Sequence, residues 1–460
     1  AERWRGSSSR AGVSKAQRAF AQAQGFAAEM GRIVIVPDGS DGGLGGALVG
    51  LGDEREIDPF LPGKLPSALP AGDYQLLDWP GDAELAALAF LLGSYRFDRY
   101  RSSKKPGARL ALASDLDRDR ILGVAEGVAL GRDLINTPSN DMGPVELARA
   151  AQELAKRYRA SCAIIVGDDL LKKNFPMIHA VGRASTRAPR LVDIRAGKTS
   201  HPKVTLVGKG VVFDTGGLDI KPPAGMLLMK KDMGGAATAL AAAQMILAAD
   251  LPVRLRVLLP IVENAIGGDA FRPGDVLSSR KGLTVEIGNT DAEGRLILAD
   301  ALTYADEEKP DLLIDFATLT GAARVALGPD LPPFYTRSEQ MALDIARIGD
   351  RIADPVWRMP LWRPYQSMLA SKIADMNNVS SSPFAGSVIA ALFLSKFVEN
   401  AAEWAHFDIF GWTPATKNGR PEGGEPQTAR LVRALVEERF GPGSSRRGVA
   451  TKSLRQRGRR

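Results

Sequence analysis

Apolar positions follow two regimes along this chain. Between residues 30 and 115 they come as short runs, Ile33 to Val36, Tyr74 to Leu77 and Leu110 to Ala113, broken by Gly, Pro and Asp. Runs punctuated in this way predict a small α/β domain with brief strands. Just ahead of them, Lys15 to Met30 predicts a surface helix leading into a strand at Arg32 to Val36. The stretch Gly42 to Gly46 reads as a turn, because Leu48 stands where a GxGxxG nucleotide loop needs its last glycine.

From Asp117 to Leu134 apolar residues recur at helical spacing, and the pattern stops at Asn136-Thr137-Pro138. This predicts a helix joining two domains. Beyond it the pattern alternates. Ala163 to Val166, Lys203 to Val207, Leu255 to Leu259, Leu312 to Phe316 and Ala405 to Ile409 read as buried strands. Ala237 to Ala249, Leu298 to Asp306, Ala342 to Ile352 and Ile389 to Val398 read as helices. The fold class expected is α/β: a small N-terminal α/β domain over 1–116, a linking helix over 117–136, and a larger α/β domain over 137–440. In the larger domain helices flank a central mixed sheet, with ligands where strands end.

Composition narrows the class. With 460 residues and 45% hydrophobic content, the chain can bury a large core. No apolar run approaches the roughly 20 residues of a membrane-spanning helix, and the start lacks the apolar core of a secretory signal, so a soluble protein is expected. The basic, serine-containing start resembles an organelle transit peptide only superficially, and Ala1 is not an initiator methionine, which leaves the true start open. The single cysteine, Cys162, excludes an internal disulfide and fits a reducing, cytoplasmic setting. The net charge of +7 is concentrated in the tail, residues 441–460, where Arg446, Arg447, Lys452, Arg455, Arg457, Arg459 and Arg460 meet no acidic residue. That tail is expected to be disordered. It also carries the competing reading, a nucleic-acid-binding protein acting through charge alone.

Two segments carry candidate chemistry. One runs from Val207 through Lys209, Asp214, Gly216-Gly217 and Lys221 to Asp232-Met233-Gly234-Gly235; the other is Asn289-Thr290-Asp291-Ala292-Glu293-Gly294-Arg295-Leu296. Their flanks are apolar, unlike surface loops. If the segments converge, Asp214, Asp232, Asp291 and Glu293 repel one another. Each like pair about 4 Å apart costs about 4 kcal/mol at an effective dielectric near 20, against about 5 to 15 kcal/mol of total stability. Lys209, Lys221 and Arg295 offer compensation as a salt-bridge network, and divalent ions offer it more compactly. The three histidines, His179, His201 and His406, form no HExxH or zinc-finger spacing and read as packing or surface residues. No GxSxG elbow or Walker A loop is present, which removes serine-hydrolase and P-loop readings.

These segments resemble the signatures of the leucyl aminopeptidase (cytosol aminopeptidase) family of two-zinc exopeptidases, and Asn289 to Leu296 is among its most specific motifs. Similarity extends over about Asp117 to Phe440, including Asn136 to Asp141 and Ala317 to Ala322, and is faint before Asp117, where the family's N-terminal domain varies. The resemblance implies that Lys209, Asp214, Asp232 and Glu293 surround the tighter-bound of two divalent ions, zinc or manganese. Asp214, Asp291 and Glu293 would surround the more exchangeable one. A lysine ligand must be neutral, which from a reference pKa of about 10.4 means a shift of about 3 units or more; a neighbouring dication can supply it. Without metal, Lys209 is expected to be an ammonium paired with Asp232.

The implied activity is hydrolysis of the first peptide bond of short peptides by water activated between two ions, with a broad preference for apolar residues such as Leu. Lys221 would be a donor to the oxyanion and Arg295 would hold a bicarbonate acting as general base. For Arg295 a structural ion pair is the alternative. Met229, Thr318 and Gly321 are implied around the first side chain, and Asn289, Ala292 and Leu319 along the substrate backbone; Met229 reads equally well as core. A homo-hexamer with inward-facing sites is implied as well. Thr215 and Pro223-Ala224-Gly225 depart from the family's usual pattern, and the far wall of the pocket near Phe410-Gly411-Trp412 is left unassigned.

Overall fold

Ser14 and Gln17 form a capping box that starts helix α1 (Lys15–Ala23). The computed structural model, which describes residues 12–38, 43–101 and 106–443, ends this helix well short of Met30. Gly25 adopts φ 70°, a left-handed conformation that closes a helix at little steric cost. Strand β1 (Ile33–Pro37) turns Val34 and Val36 toward Ala21 and Phe26 in a small satellite core. It pairs antiparallel with β2 (Leu44–Val49), so Gly45 and Gly46, expected in a turn, are strand residues. Gly42 lies outside the described residues, as does the basic tail beyond residue 443.

Strands β3 (Gly72–Tyr74) and β4 (Ala108–Leu110) pair in parallel. They sit ahead of the expected runs, because the register Gly72 to Ala108 and Tyr74 to Leu110 sets the ends rather than hydrophobicity. Asp82 caps helix α2 (Ala83–Gly93), whose Phe90 packs with Leu65 and Ala108. Helix α3 (Arg118–Asn136) follows. Its N-terminus is capped by Asp117, and it stops at Thr137, the residue that Pro138 disfavours for helix.

Arg132 on α3 ties the two domains together. It is 1% exposed. Its guanidinium donates to Glu425 Oε2 at 2.9 Å, to the Leu92 carbonyl at the end of α2 at 2.7 Å, and to the Gly419 carbonyl at 2.8 Å. Replacing it with methionine leaves Glu425 and two carbonyls without their donor. Arg132→Met is therefore expected to lower stability by about 3 to 5 kcal/mol in urea unfolding. A loss below about 1 kcal/mol would contradict this role.

The larger domain is built on one nine-stranded sheet. In chain order its strands are β5 (Ser161–Val166), β6 (Arg190–Ala196), β7 (Lys203–Gly208), β8 (Gly210–Asp214), β9 (Arg254–Asn264), β10 (Leu312–Ala317), β11 (Pro333–Thr336), β12 (Trp357–Arg358) and β13 (Trp404–Asp408). Across the sheet the order is β12, β11, β13, β10, β7, β9, β6, β5, with β8 beside the far end of β9. The centre, from β13 to β9, is parallel; β6 and β5 pair antiparallel in turn, and β11 runs antiparallel to β13 but parallel to β12. The expected mixed sheet is thus present.

Alternation along the strands feeds two cores. Val204, Leu206, Val257, Leu259 and Ile314 face one side, with helices α4 (Pro144–Arg157) and α5 (Gly234–Ala248). Val207, Leu258 and Leu313 face the other, with α6 (Gly294–Asp306). After α7 (Gly321–Leu327), helix α8 (Glu339–Arg351) joins the first side, α9 (Gly386–Ser395) the second and α10 (Ala429–Phe440) the first. Both faces of the parallel strands are covered, which is why they read as continuous apolar runs. No helix among the described residues is long and apolar enough to cross a membrane.

Candidate metal centre

The candidate residues gather where the parallel strands end, the usual ligand position in such a sheet. Lys209 lies in the break between β7 and β8, its N–H donating to the Phe316 carbonyl of β10. Asp214 closes β8 opposite Asn264, the last residue of β9. Asp232 sits on a 3₁₀ turn, Met229–Met233, directly before α5. Asp291 and Glu293 occupy the loop that enters α6. Gly294 makes the approach possible, because a Cβ there would lie 2.4 Å from Lys209 Cε.

One ammonium spans two carboxylates. Lys209 Nζ is 2.8 Å from Asp232 Oδ2 and 2.9 Å from Glu293 Oε1, and donates to the Thr318 carbonyl at 3.0 Å. The pair with Asp232 expected of Lys209 as an ammonium is present. Lys221 Nζ is 2.8 Å from Asp214 Oδ2 and also pairs with Asp291. Asp214, Asp291 and Glu293 bring one ligand oxygen each to within 4.8 Å of one another, and no histidine joins that group. His406 instead is fully buried, Nδ1 2.6 Å from Asp315 Oδ1.

The electrostatics are unbalanced. Burial opposes the charge on Lys209, but Asp232, Glu293 and Asp214 outweigh it and raise its pKa. Burial likewise opposes the charge on Asp232, and Lys209 and Lys231 overcome it. Burial and then Asp214 push Asp291 up to about 7, and burial with Asp214 raises Glu293 well above the carboxylate range despite Lys209. The lysines therefore do not neutralise the cluster. Asp232 Oδ2, Asp291 Oδ1 and Glu293 Oε1 each face a lysine ammonium and no other donor among the described residues. Carboxylate oxygens that converge with lone pairs to spare fit divalent cations.

Proton linkage follows. Carboxyls raised in the folded state keep protons that the unfolded chain releases near pH 4, so the metal-free protein loses stability as pH rises through about 7. Binding a cation must expel those protons. Manganese affinity, measured by titration calorimetry between pH 5.5 and 8.5, is expected to rise with pH throughout, most steeply below about 7 where Asp291 and the Lys209 ammonium must both give up protons. Affinity independent of pH would refute the linkage.

Other residues hold the ligands in place. Asp214 Oδ1 accepts from the Gly216 N–H at 2.9 Å and from Asn264 Nδ2 at 2.8 Å. Thr318 Oγ1 donates to Asp232 Oδ1 at 2.7 Å. Asn289 Oδ1 accepts the Asp291 N–H at 2.6 Å, and Asn378 fastens that loop by accepting from the Gly288 N–H at 2.8 Å. Asp408 Oδ1 accepts the Leu319 and Thr320 N–H groups, both at 3.1 Å. Arg295 is buried, with Nη1 donating to the Asn378 carbonyl at 2.6 Å. Burial lowers its pKa to about 10. No ion pair to Arg295 is formed among the described residues, and its Nε is left unpartnered.

Met229 begins the turn that carries Asp232, and Ala292 lies between two of the candidate ligands. Leu319 packs against the second core, while Gly321, at the start of α7, is exposed. Sequence reasoning did not single out Asn264, Asn378 or Asp408. Asn264 alone gave a signal, a polar residue ending an apolar strand.

Buried, under-compensated carboxylates at the ends of parallel strands suit a metal-dependent enzyme. A sequence model of the Cytosol aminopeptidase family, catalytic domain, matches residues 129–436, and one of the M17 aminopeptidase N-terminal domain matches residues 8–113. The chain belongs to the cytosol aminopeptidase family, M17, and is an aminopeptidase-type hydrolase by that membership. It is 40% identical over 368 residues to a probable cytosol aminopeptidase of Syntrophotalea carbinolica, covering 76% of this chain and 73% of that one. With a relative of the same description from Chlorobium phaeobacteroides it shares 37% identity, over 90% of each chain. Its structure is similar to the crystal structure of the cytosol aminopeptidase from Coxiella burnetii, at 48% identity, TM-score 0.89 and 93% coverage of both chains. The bottromycin maturation enzyme BotP in complex with Mn is also similar, at 34% identity and TM-score 0.85, over 93% of this chain and 98% of that one.

Proposed function

We propose that this chain is a dimetal aminopeptidase that removes the first residue of short peptides, with a broad preference for apolar residues such as Leu. The observation that carries the reading is the convergence of Asp214, Asp291 and Glu293, one ligand oxygen each within 4.8 Å of the others, in a buried cluster that the lysines leave under-compensated. Lys209, Asp214, Asp232 and Glu293 would hold one divalent ion, zinc or manganese, and Asp214, Asp291 and Glu293 the other. When bound, the ions supply an ionised water and polarise the scissile carbonyl.

The chain's own residues do the rest. Lys221, paired with Asp214 and Asp291, would donate to the developing oxyanion. Arg295, buried with a free Nε, holds a bicarbonate that serves as general base. Met229, Thr318 and Gly321 line the first side chain; Asn289, Ala292 and Leu319 run along the substrate backbone. The bound state needs a free amine, so endopeptidase activity is negligible. A cytoplasmic location goes with this reading, supported by the cytosol aminopeptidase relatives; a hexamer goes with it through the family resemblance alone.

Metal analysis with leucine p-nitroanilide hydrolysis tests it. About two equivalents of metal per chain, loss of activity with chelator and its return with manganese or zinc are expected. A chelator-insensitive enzyme would remove the proposal, and native mass spectrometry checks the hexamer.

A further inference from the structure

The wall left unassigned by sequence carries an unusual charge. A Cβ on Gly411 would lie 3.1 Å from Thr318 Cγ2 and 3.7 Å from the Lys231 carbonyl, so the segment Phe410 to Trp412 stands directly behind Thr318. Gln427 Oε1 fixes it by accepting the Phe410 and Gly411 N–H groups at 2.9 and 3.0 Å. Two cations sit on the Phe410 ring: Lys231 Nζ is 4.7 Å and the Arg324 guanidinium carbon 4.8 Å from its centroid.

Among the described residues neither cation makes an ion pair at contact distance, although Lys231 lies near enough to Asp232 to favour its charge. Lys231 is 5% exposed and its side chain makes no hydrogen bond or ion pair, nor does that of Arg324 on α7. Its neighbour Lys230 differs, donating to the Asn136 carbonyl at 2.7 Å. The carboxylates in range are occupied. Asp232 serves Lys209 and Thr318, and Asp408 serves the Leu319 and Thr320 N–H groups and the Thr320 and Ser387 hydroxyls. An aromatic face compensates a buried ammonium only in part. A carboxylate arriving with substrate would complete it.

We infer that Lys231 and Arg324 form a carboxylate-reading end to the pocket for the first side chain, so that an N-terminal glutamate or aspartate is accepted alongside apolar residues. This rests on the aminopeptidase reading and deepens it. A glutamate side chain would lay its methylenes along the wall beside Thr318 and set its carboxylate on the cations, the way amphipathic side chains divide between environments.

The test compares kcat/KM for the p-nitroanilides of glutamate, glutamine and leucine, using the full-length, manganese-loaded enzyme. In Lys231→Met the Glu/Gln ratio is expected to fall about tenfold, because a charge-assisted contact is lost from a desolvated site. In Arg324→Gln, at an exposed position that does not endanger folding, it falls about threefold, and raising salt lowers the wild-type ratio too. A ratio unchanged in both variants, or a wild type that cleaves the leucine but not the glutamate substrate, overturns the inference. So does a drop confined to Leu-Gly over Leu-Gly amide, which would assign the cations to the substrate's terminal carboxylate. Failure of the wild type to cleave any of these substrates would instead defeat the aminopeptidase reading.

Discussion

Glu293→Gln is expected to abolish catalysis while leaving the metal-free fold at least as stable. Under the proposed ligand sets Glu293 serves both ions, so its loss removes charge from each site at once. The rate on leucine p-nitroanilide at saturating manganese should fall by about 1,000-fold or more, equivalent to about 4 kcal/mol of barrier at 1.36 kcal/mol per tenfold. Stability moves the other way. Burial, Asp214, Asp232 and Asp291 together oppose the ionised side chain more than Lys209 supports it. A neutral amide of the same shape removes that opposition, so the urea midpoint in chelator should not fall. A pure salt-bridge network gives the opposite result: losing a partner 2.9 Å from Lys209 would lower the midpoint. Metal content, activity and unfolding of one variant thus separate a metal centre from a structural ion cluster.

The divergence between what sequence foretells and what it conceals follows the range of the forces involved. Strands β7, β9, β10 and β13 were legible because burial on both faces forces an unbroken apolar run. Lys209, Asp214, Asp232, Asp291 and Glu293 were legible because two compact segments hold all five, and glycines such as Gly294 mark where side chains must approach. The N-terminal domain was harder. Strand β2 opens on Leu44-Gly45-Gly46, whose composition says turn, and only pairing with β1 makes it a strand. The supporting residues were hidden for a different reason. Asn378 and Asp408 are lone polar residues whose partners, Gly288 and Leu319, lie far away in sequence, so nothing local marks them. Lys231, Arg324 and the Phe410 ring come from three separate segments, and only the folded chain brings the two charges together.

Lys209→Met should show the converse of the glutamate variant, a large loss of stability that metal repairs. Lys209 is 3% exposed and its ammonium is the positive charge between Asp232 and Glu293. Removing it leaves the buried Asp232 carboxylate without its counter-charge and the Thr318 carbonyl without its donor. Breaking a buried pair in this way costs about 3 to 5 kcal/mol, a large share of any domain's stability. Urea unfolding in chelator should register that loss in full. Manganese should then recover much of it, since a dication supplies the missing charge and binds only the folded state. Activity should stay depressed, because the proposed first site has lost a ligand. The decisive comparison is the manganese-induced shift in midpoint, expected to be larger in the variant than in the wild type, where the ammonium competes for the same oxygens. A variant that manganese leaves as unstable as chelator does would mean that these carboxylates are built for Lys209 alone.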